Sequence, residues 1–133
     1  MRKGLYAVLL SICLALPAAA QEEPIRNTIQ SQIDAFLADD FARAFTFASP
    51  NIKQMFGTPE NFGAMVKQGY PMVYRPSTVE MQDLREIAGN LWQRVRIVDQ
   101  AGAGWYLDYM MVETAEGWQI NAVQLMPAPD VGA

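Results

Sequence analysis

The sequence predicts an α+β fold in which helices come first and an antiparallel sheet closes the chain. Three observations carry this reading. Apolar residues recur every three or four positions through Val66, Ser-Pro and Thr-Pro pairs alternate with glycines between residues 49 and 71, and four segments beyond Pro76 are rich in β-branched and aromatic residues. Because the two periodicities occupy separate halves of the chain, helices and strands are expected in separate layers.

The first segment lies outside the fold. Arg2 and Lys3 precede an apolar run from Leu5 to Leu16, followed by Pro17 and Ala18-Ala19-Ala20. This is the pattern of a secretory signal peptide with an Ala-x-Ala cleavage site, and the run is shorter than the roughly 20 apolar residues a membrane span requires. Residues 1–20 are therefore read as a leader and 21–133 as one α+β domain, with its core at about 24–126, exported to the periplasm or secreted. Cys13, the only cysteine, falls within that leader. Ile12 stands before it where a lipoprotein signal has a small residue, so lipidation is not expected.

Removing Arg2 and Lys3 makes the mature chain two charges more acidic than the full chain's −4. An acidic surface argues against nucleic acid as a partner, since phosphate binding depends on basic side chains. The chain has no histidine, and the mature part has no cysteine. Those two facts remove the imidazole-based triad, the thiolate nucleophile and ordinary zinc or iron–sulfur ligation. No calcium-loop pattern is present either, so neither a metal nor a cofactor is expected.

Along the mature chain, "PIRNTIQSQIDAFLADD" places Pro24 in a first turn and Ile25, Ile29, Ile33, Phe36 and Leu37 on one helical stripe. Asp39 and Asp40 break it, and "FARAFTFAS" resumes with Phe41, Ala44, Phe45 and Ala48, so a helical corner is expected with an aspartate capping the second helix. Ser49-Pro50 starts a further helix that ends near Gly57. Thr58-Pro59 starts another that ends at Gly69. After Pro71 the pattern turns to β. "STVEMQ", "LWQRVRIVDQ", "WYLDYMMVET" and "WQINAVQLMP" predict a four-stranded meander, with turns at "AGAG" and "AEG" and one apolar face for the helices to cover. Phe36, Phe45, Phe56, Phe62, Val95, Ile97, Trp118 and Ile120 are the expected core.

The string from "IDAFLADDFARAF" through "FASP" and "GYPMVYRP", continuing to "GWQI", resembles a family of uncharacterised exported bacterial proteins, classed as a domain of unknown function. That family is similar to the cone-shaped nuclear-transport-factor-two-like superfamily. The resemblance covers nearly the whole mature chain and implies a curved sheet wrapped around helices, often with a cavity at the open end. It implies no catalytic residue.

The residues themselves offer a few candidates. Asp39 and Asp40 are the carboxylates available for proton chemistry if one faces a pocket. Tyr70, Tyr74 and Arg75 bracket the change from helix to strand and combine apolar contact with a hydroxyl and a guanidinium, which suits a ligand-binding mouth. Arg94 and Arg96 share a strand face, expected to be a solvated one where carboxylates on the next strand can pair with them, rather than an anion site. The leading expectation is a non-catalytic exported domain that binds a small, partly apolar ligand or an envelope protein. The competing expectation is a small isomerase, dehydratase or hydrolase using carboxylate acid–base catalysis.

Overall fold

A computed structural model describes residues 18–129. Residues 1–17 of the expected leader lie outside them. Five helices come first: α1 (Ala18–Leu37), α2 (Phe41–Thr46), α3 (Pro50–Phe56), α4 (Pro59–Gly69) and α5 (Pro71–Tyr74). Four strands follow: β1 (Thr78–Ile87), β2 (Asn90–Val98), β3 (Gly104–Thr114) and β4 (Gly117–Pro127). They pair antiparallel in the order β1-β2-β3-β4. Among the described residues no helix is long and apolar enough to cross a membrane.

Local chemistry sets the helix limits. Ser49 and Thr58 accept from the backbone N–H of Ile52 at 3.3 Å and Asn61 at 3.1 Å, and each is followed by proline at the first helical position. These caps satisfy donors that have no intrahelical acceptor. Pro24 differs from its expected first-turn position. The helix runs on to Ala18, because Ala18 to Glu23 contains three alanines, a glutamine and two glutamates, all strong helix formers. A second difference is α5, where the sequence pattern had already turned to β. Pro71 cannot continue α4, but its fixed φ suits the first position of a new helical turn.

α1 ends in a Schellman turn. The N–H of Asp39 donates to the Phe36 carbonyl at 3.0 Å and that of Asp40 to the Ala35 carbonyl at 2.8 Å. Asp39 occupies the left-handed position this turn requires, with φ of 55°. Its backbone conformation directs the chain into α2 at a corner.

The sheet curves through irregularities between Met81 and Leu84 on β1 and at Asn121 on β4, the extra residue opposite the Met110–Met111 step of β3. Bulges of this kind bend a strand and strengthen its twist. On the helix side Val95, Ile97, Leu107, Tyr109, Met111 and Ile120 meet Ile25, Ile29, Ile33 and Phe36 of α1. Five of the eight expected core residues are buried, namely Phe36, Phe62, Val95, Ile97 and Ile120. Phe45, Phe56 and Trp118 are half-buried and pack against that core.

The outer edge of β4 is partly covered. Ile120 donates to the Phe47 carbonyl at 2.8 Å and accepts from the Ser49 N–H at 2.8 Å, so the α2–α3 connection pairs with the strand. Gln119 adds a bond from Nε2 to the Thr46 carbonyl at 3.1 Å. These contacts close an edge that would otherwise expose unpaired backbone groups, and they hold α3 over the sheet.

Candidate functional site

Where α3, α4 and α5 meet the sheet, packing leaves a cavity of about 190 Å³. α3 contributes Ile52, Met55 and Phe56, and α4 contributes Phe62, Met65 and Val66. Tyr109, Ile120 and Val123 come from the sheet, and Gln32 and Phe36 come from α1. Phe62 is the hub of the wall. Its ring centroid lies 5.8 Å from Phe36, 5.3 Å from Phe45 and 5.7 Å from Phe56, spacings typical of favourable aromatic pairs. Met55 is 72% exposed and stands at the rim. An unbranched, polarisable side chain there adapts to different shapes at little cost.

Three lining residues have polar ends: Gln32, Tyr70 and Tyr109. Gln32 is buried and spends its amide donor on the Ala44 carbonyl at 3.1 Å, tying α1 to α2. Tyr109 is 1% exposed, and its hydroxyl has no hydrogen-bond partner among the described residues. Burial pushes its phenol far above the ordinary range, and the Tyr70 phenol adds to the shift. The Tyr109 hydroxyl therefore stays protonated across the accessible pH range. No lysine, arginine, aspartate or glutamate among the described residues lines the cavity.

The residues anticipated from the sequence divide into two groups. Tyr70 lies in the cavity wall. Tyr74, Arg75 and Asp39 converge elsewhere, at the corner after α1. Arg75 Nη2 reaches both oxygens of Asp39, its Nη1 donates to the Phe36 carbonyl at 2.8 Å, and its guanidinium carbon lies 3.9 Å from the centre of the Tyr74 ring. The Tyr74 hydroxyl donates to Asp39 Oδ1. That bond, followed by the one from Arg75, holds the Asp39 carboxyl below the usual carboxylate range, and the same bond raises the Tyr74 phenol. Asp40 caps α2 by accepting from the Arg43 N–H at 3.0 Å. Neither aspartate lines the cavity.

Arg94 meets the carboxylate expected for it. Its Nε and Nη2 each lie 3.0 Å from an oxygen of Asp108, the residue directly opposite on β3, and Arg85 of β1 adds a contact of 2.9 Å. Val95, the next residue along, faces the helices, so alternation puts this cluster on the other sheet face. It staples three strands together. Arg96 stands opposite Tyr106.

Sequence reasoning did not single out Gln32 or Tyr109. The signal was present. Gln32 falls three residues after Ile29 and four before Phe36, on the buried stripe, and Tyr109 shares a strand face with Leu107. A polar-tipped residue at a core position asks what its polar end meets.

Comparison with known proteins agrees with this architecture. The profile of a domain of unknown function, DUF4864, matches residues 18–133. No curated protein matches the chain. Among solved structures, the chain is similar to the crystal structure of an NTF-2-like protein of unknown function from Burkholderia xenovorans LB400. The two align with a TM-score of 0.50 over 85% of this chain and 89% of that one, at 16% identity, so the likeness is one of fold. The helices followed by a curved four-stranded antiparallel sheet are the α+β cone expected from the sequence. With most of its length inside the family profile, the chain belongs to the DUF4864 family and carries an NTF-2-like fold.

Proposed function

We propose that the domain is a non-catalytic binder of one small, largely apolar molecule held between the helices and the sheet. The observation that carries this reading is the 190 Å³ cavity walled by aromatic and aliphatic side chains, with the adaptable Met55 at its rim. Ligand sites are typically concave, mostly apolar and provided with a few polar groups. Tyr70 and Tyr109 supply such groups here. The carboxylate acid–base alternative has less support, because Asp39 is held by Arg75 and Tyr74 and Asp40 is committed to the α2 cap.

The reading includes export, for which the leader-like residues 1–20 are the support. Pro24 is compatible with it. In a chain beginning at Gln21, Pro24 falls in the first helical turn, where backbone N–H groups have no intrahelical acceptor.

The test fills the cavity from its rim. Ile52→Trp is expected to abolish uptake of ethylbenzene, measured by ligand-observed NMR, while the far-ultraviolet circular dichroism stays that of the wild type. Undiminished uptake by a folded Ile52→Trp variant would place binding elsewhere and defeat the proposal.

A further inference from the structure

We infer that the ligand is a neutral, ring-sized compound bearing a carbonyl oxygen, and that the Tyr109 hydroxyl donates to that oxygen. This deepens the binding reading above and rests on it. Three features of the cavity select the class.

Charge comes first. With no lysine or arginine among the described lining residues, an anionic ligand would leave water for an apolar space without a counter-ion. With no lining carboxylate, a cation would fare no better. Burial of an unpaired charge is costly enough that a neutral molecule is selected. Size comes second. An apolar cavity of about 150 Å³ holds a benzene ring. The 190 Å³ here accommodates such a ring with a short substituent.

The third feature is the polar end. Tyr109 lines the cavity, is 1% exposed, and has a hydroxyl without a partner among the described residues. Buried hydroxyls nearly always find a partner, and one left without costs stability. Since burial keeps this phenol protonated, it is a standing donor, and what it lacks is an acceptor. A carbonyl oxygen supplies one without bringing a donor of its own into the apolar wall. Tyr70 lies in the same wall.

One competitor for the Tyr109 proton lies within the protein. Gln93 stands directly opposite Tyr109 in the β2–β3 register, is fully buried, and has an unpartnered Oε1. A water bridging the two would satisfy both groups and remove the reason for a ligand acceptor.

The experiment compares acetophenone, its hydrocarbon analogue ethylbenzene, and benzoate on the full folded domain by ligand-observed NMR, with Tyr109→Phe as the variant. The wild type is expected to bind acetophenone about tenfold more tightly than ethylbenzene, the worth of one buried hydrogen bond. Tyr109→Phe should lose that preference while still binding ethylbenzene, and benzoate should bind neither protein measurably. Removing an unpartnered hydroxyl should also leave the thermal midpoint unchanged or raised. Equal affinity of the wild type for acetophenone and ethylbenzene would overturn the carbonyl assignment and leave the binding reading standing. A lowered midpoint in Tyr109→Phe would show that the hydroxyl is already bonded within the protein, and would overturn it too. Failure of all three probes to bind the folded wild type would defeat the binding reading itself.

Discussion

One nitrogen of Arg75, Nη2, lies 2.9 Å from Oδ1 and 3.0 Å from Oδ2 of Asp39, 36 residues earlier in the chain. The same side chain donates through Nη1 to the Phe36 carbonyl near the end of α1. That carbonyl already accepts from the Asp39 N–H, so Arg75 is its second donor, and a cation at a helix C-terminus complements the negative end of the dipole. Arg75 therefore fastens the start of the sheet half to the corner where α1 turns into α2. Arg75→Gln should lower the urea midpoint and leave ethylbenzene binding unchanged, because Arg75 does not line the cavity. A variant that keeps its stability but loses binding would reverse this assignment.

The pH dependence of that corner follows from the direction of its shifts. Asp39 is lowered in the folded chain, first by the Tyr74 hydrogen bond and then by that from Arg75. Its contribution is thus fully present above the ordinary carboxylate value of about 3.9 and is lost as the pH falls through the lower folded value. Tyr74 is raised by the same bond. Its contribution is present below about 10 and is lost as the pH rises through the higher folded value. Tyr74→Phe should remove the alkaline loss attributable to this bond, measured as urea midpoint against pH from 8 to 11.

Asp108 should dominate the acid limb. Burial alone would push its carboxyl up, but bonds from Arg94 and Arg85 and their charges outweigh that effect, and the net shift is downward. Its contribution is fully present above the ordinary carboxylate value and is lost as the pH falls through the lower folded value. Asp108→Asn leaves two guanidinium groups with a neutral partner and should cost about 2 kcal/mol near neutral pH. That is less than for a fully buried pair, because both arginines keep some access to water. Unfolding at pH 7 and pH 3 provides the check. The gap between variant and wild type should narrow at the lower pH.

Gly63 is needed for helix packing. A Cβ placed there would fall 2.5 Å from Cδ1 of Phe41, whose ring stacks on Tyr74 with centroids 6.1 Å apart. Alanine in a helix interior gains about 1 kcal/mol over glycine from propensity. Overpacking against a ring already held on its other side costs about 1–3 kcal/mol. Gly63→Ala should therefore show a net loss of stability, read from urea unfolding. A gain would mean that the Phe41 ring moves aside freely.

What was legible in the sequence is what depends on near neighbours. Ser49-Pro50 and Thr58-Pro59 specify caps within four residues, and the stripe of α1 needs only its own period. The extension of β1 to Ile87 was not legible, because the irregularity between Met81 and Leu84 breaks the alternation that would have marked it. Pro71 reads equally as the end of one helix and the first position of another. The candidate site was legible only in part. Tyr70, Tyr74 and Arg75 lie within six residues, yet α5 carries the chain from Tyr70 in the cavity wall to Tyr74 and Arg75 at a corner formed with Asp39, 36 residues before Arg75. Packing between distant elements decides where space remains, and no local pattern records it.

The hairpin joining β1 and β2 carries a correctable strain. Its two turn residues, Ala88 and Gly89, have φ of 51° and 82°. Two-residue turns with both central residues in the left-handed region match the sheet twist and favour Asn-Gly, whereas alanine at φ above zero pays a steric cost of about 1 kcal/mol. Ala88→Asn should stabilise the domain by roughly 0.5–1 kcal/mol. An unchanged or lowered urea midpoint would show that this turn is not strained in solution.

We propose that Arg2, Lys3, the apolar run from Leu5 to Leu16 and Ala18-Ala19-Ala20 serve as an export leader whose cleavage after Ala20 would expose Gln21. Among the residues whose exposure is described, Ile25 is the first that is buried on the α1 stripe, while Ala20 is exposed and Gln21 half-buried, so cleavage there leaves the described core whole. It also relocates Pro24 to a first turn, where its missing N–H is no loss. Expression of the full chain in a Gram-negative host should give a periplasmic product whose intact mass corresponds to residues 21–133, or to that chain less one ammonia if the N-terminal glutamine cyclises. A recombinant chain starting at Gln21 should have the same urea midpoint as one starting at Ala18. A product that retains residues 1–20 would overturn the export reading, and a lower midpoint for the shorter chain would show that Ala18–Ala20 belong to the folded domain.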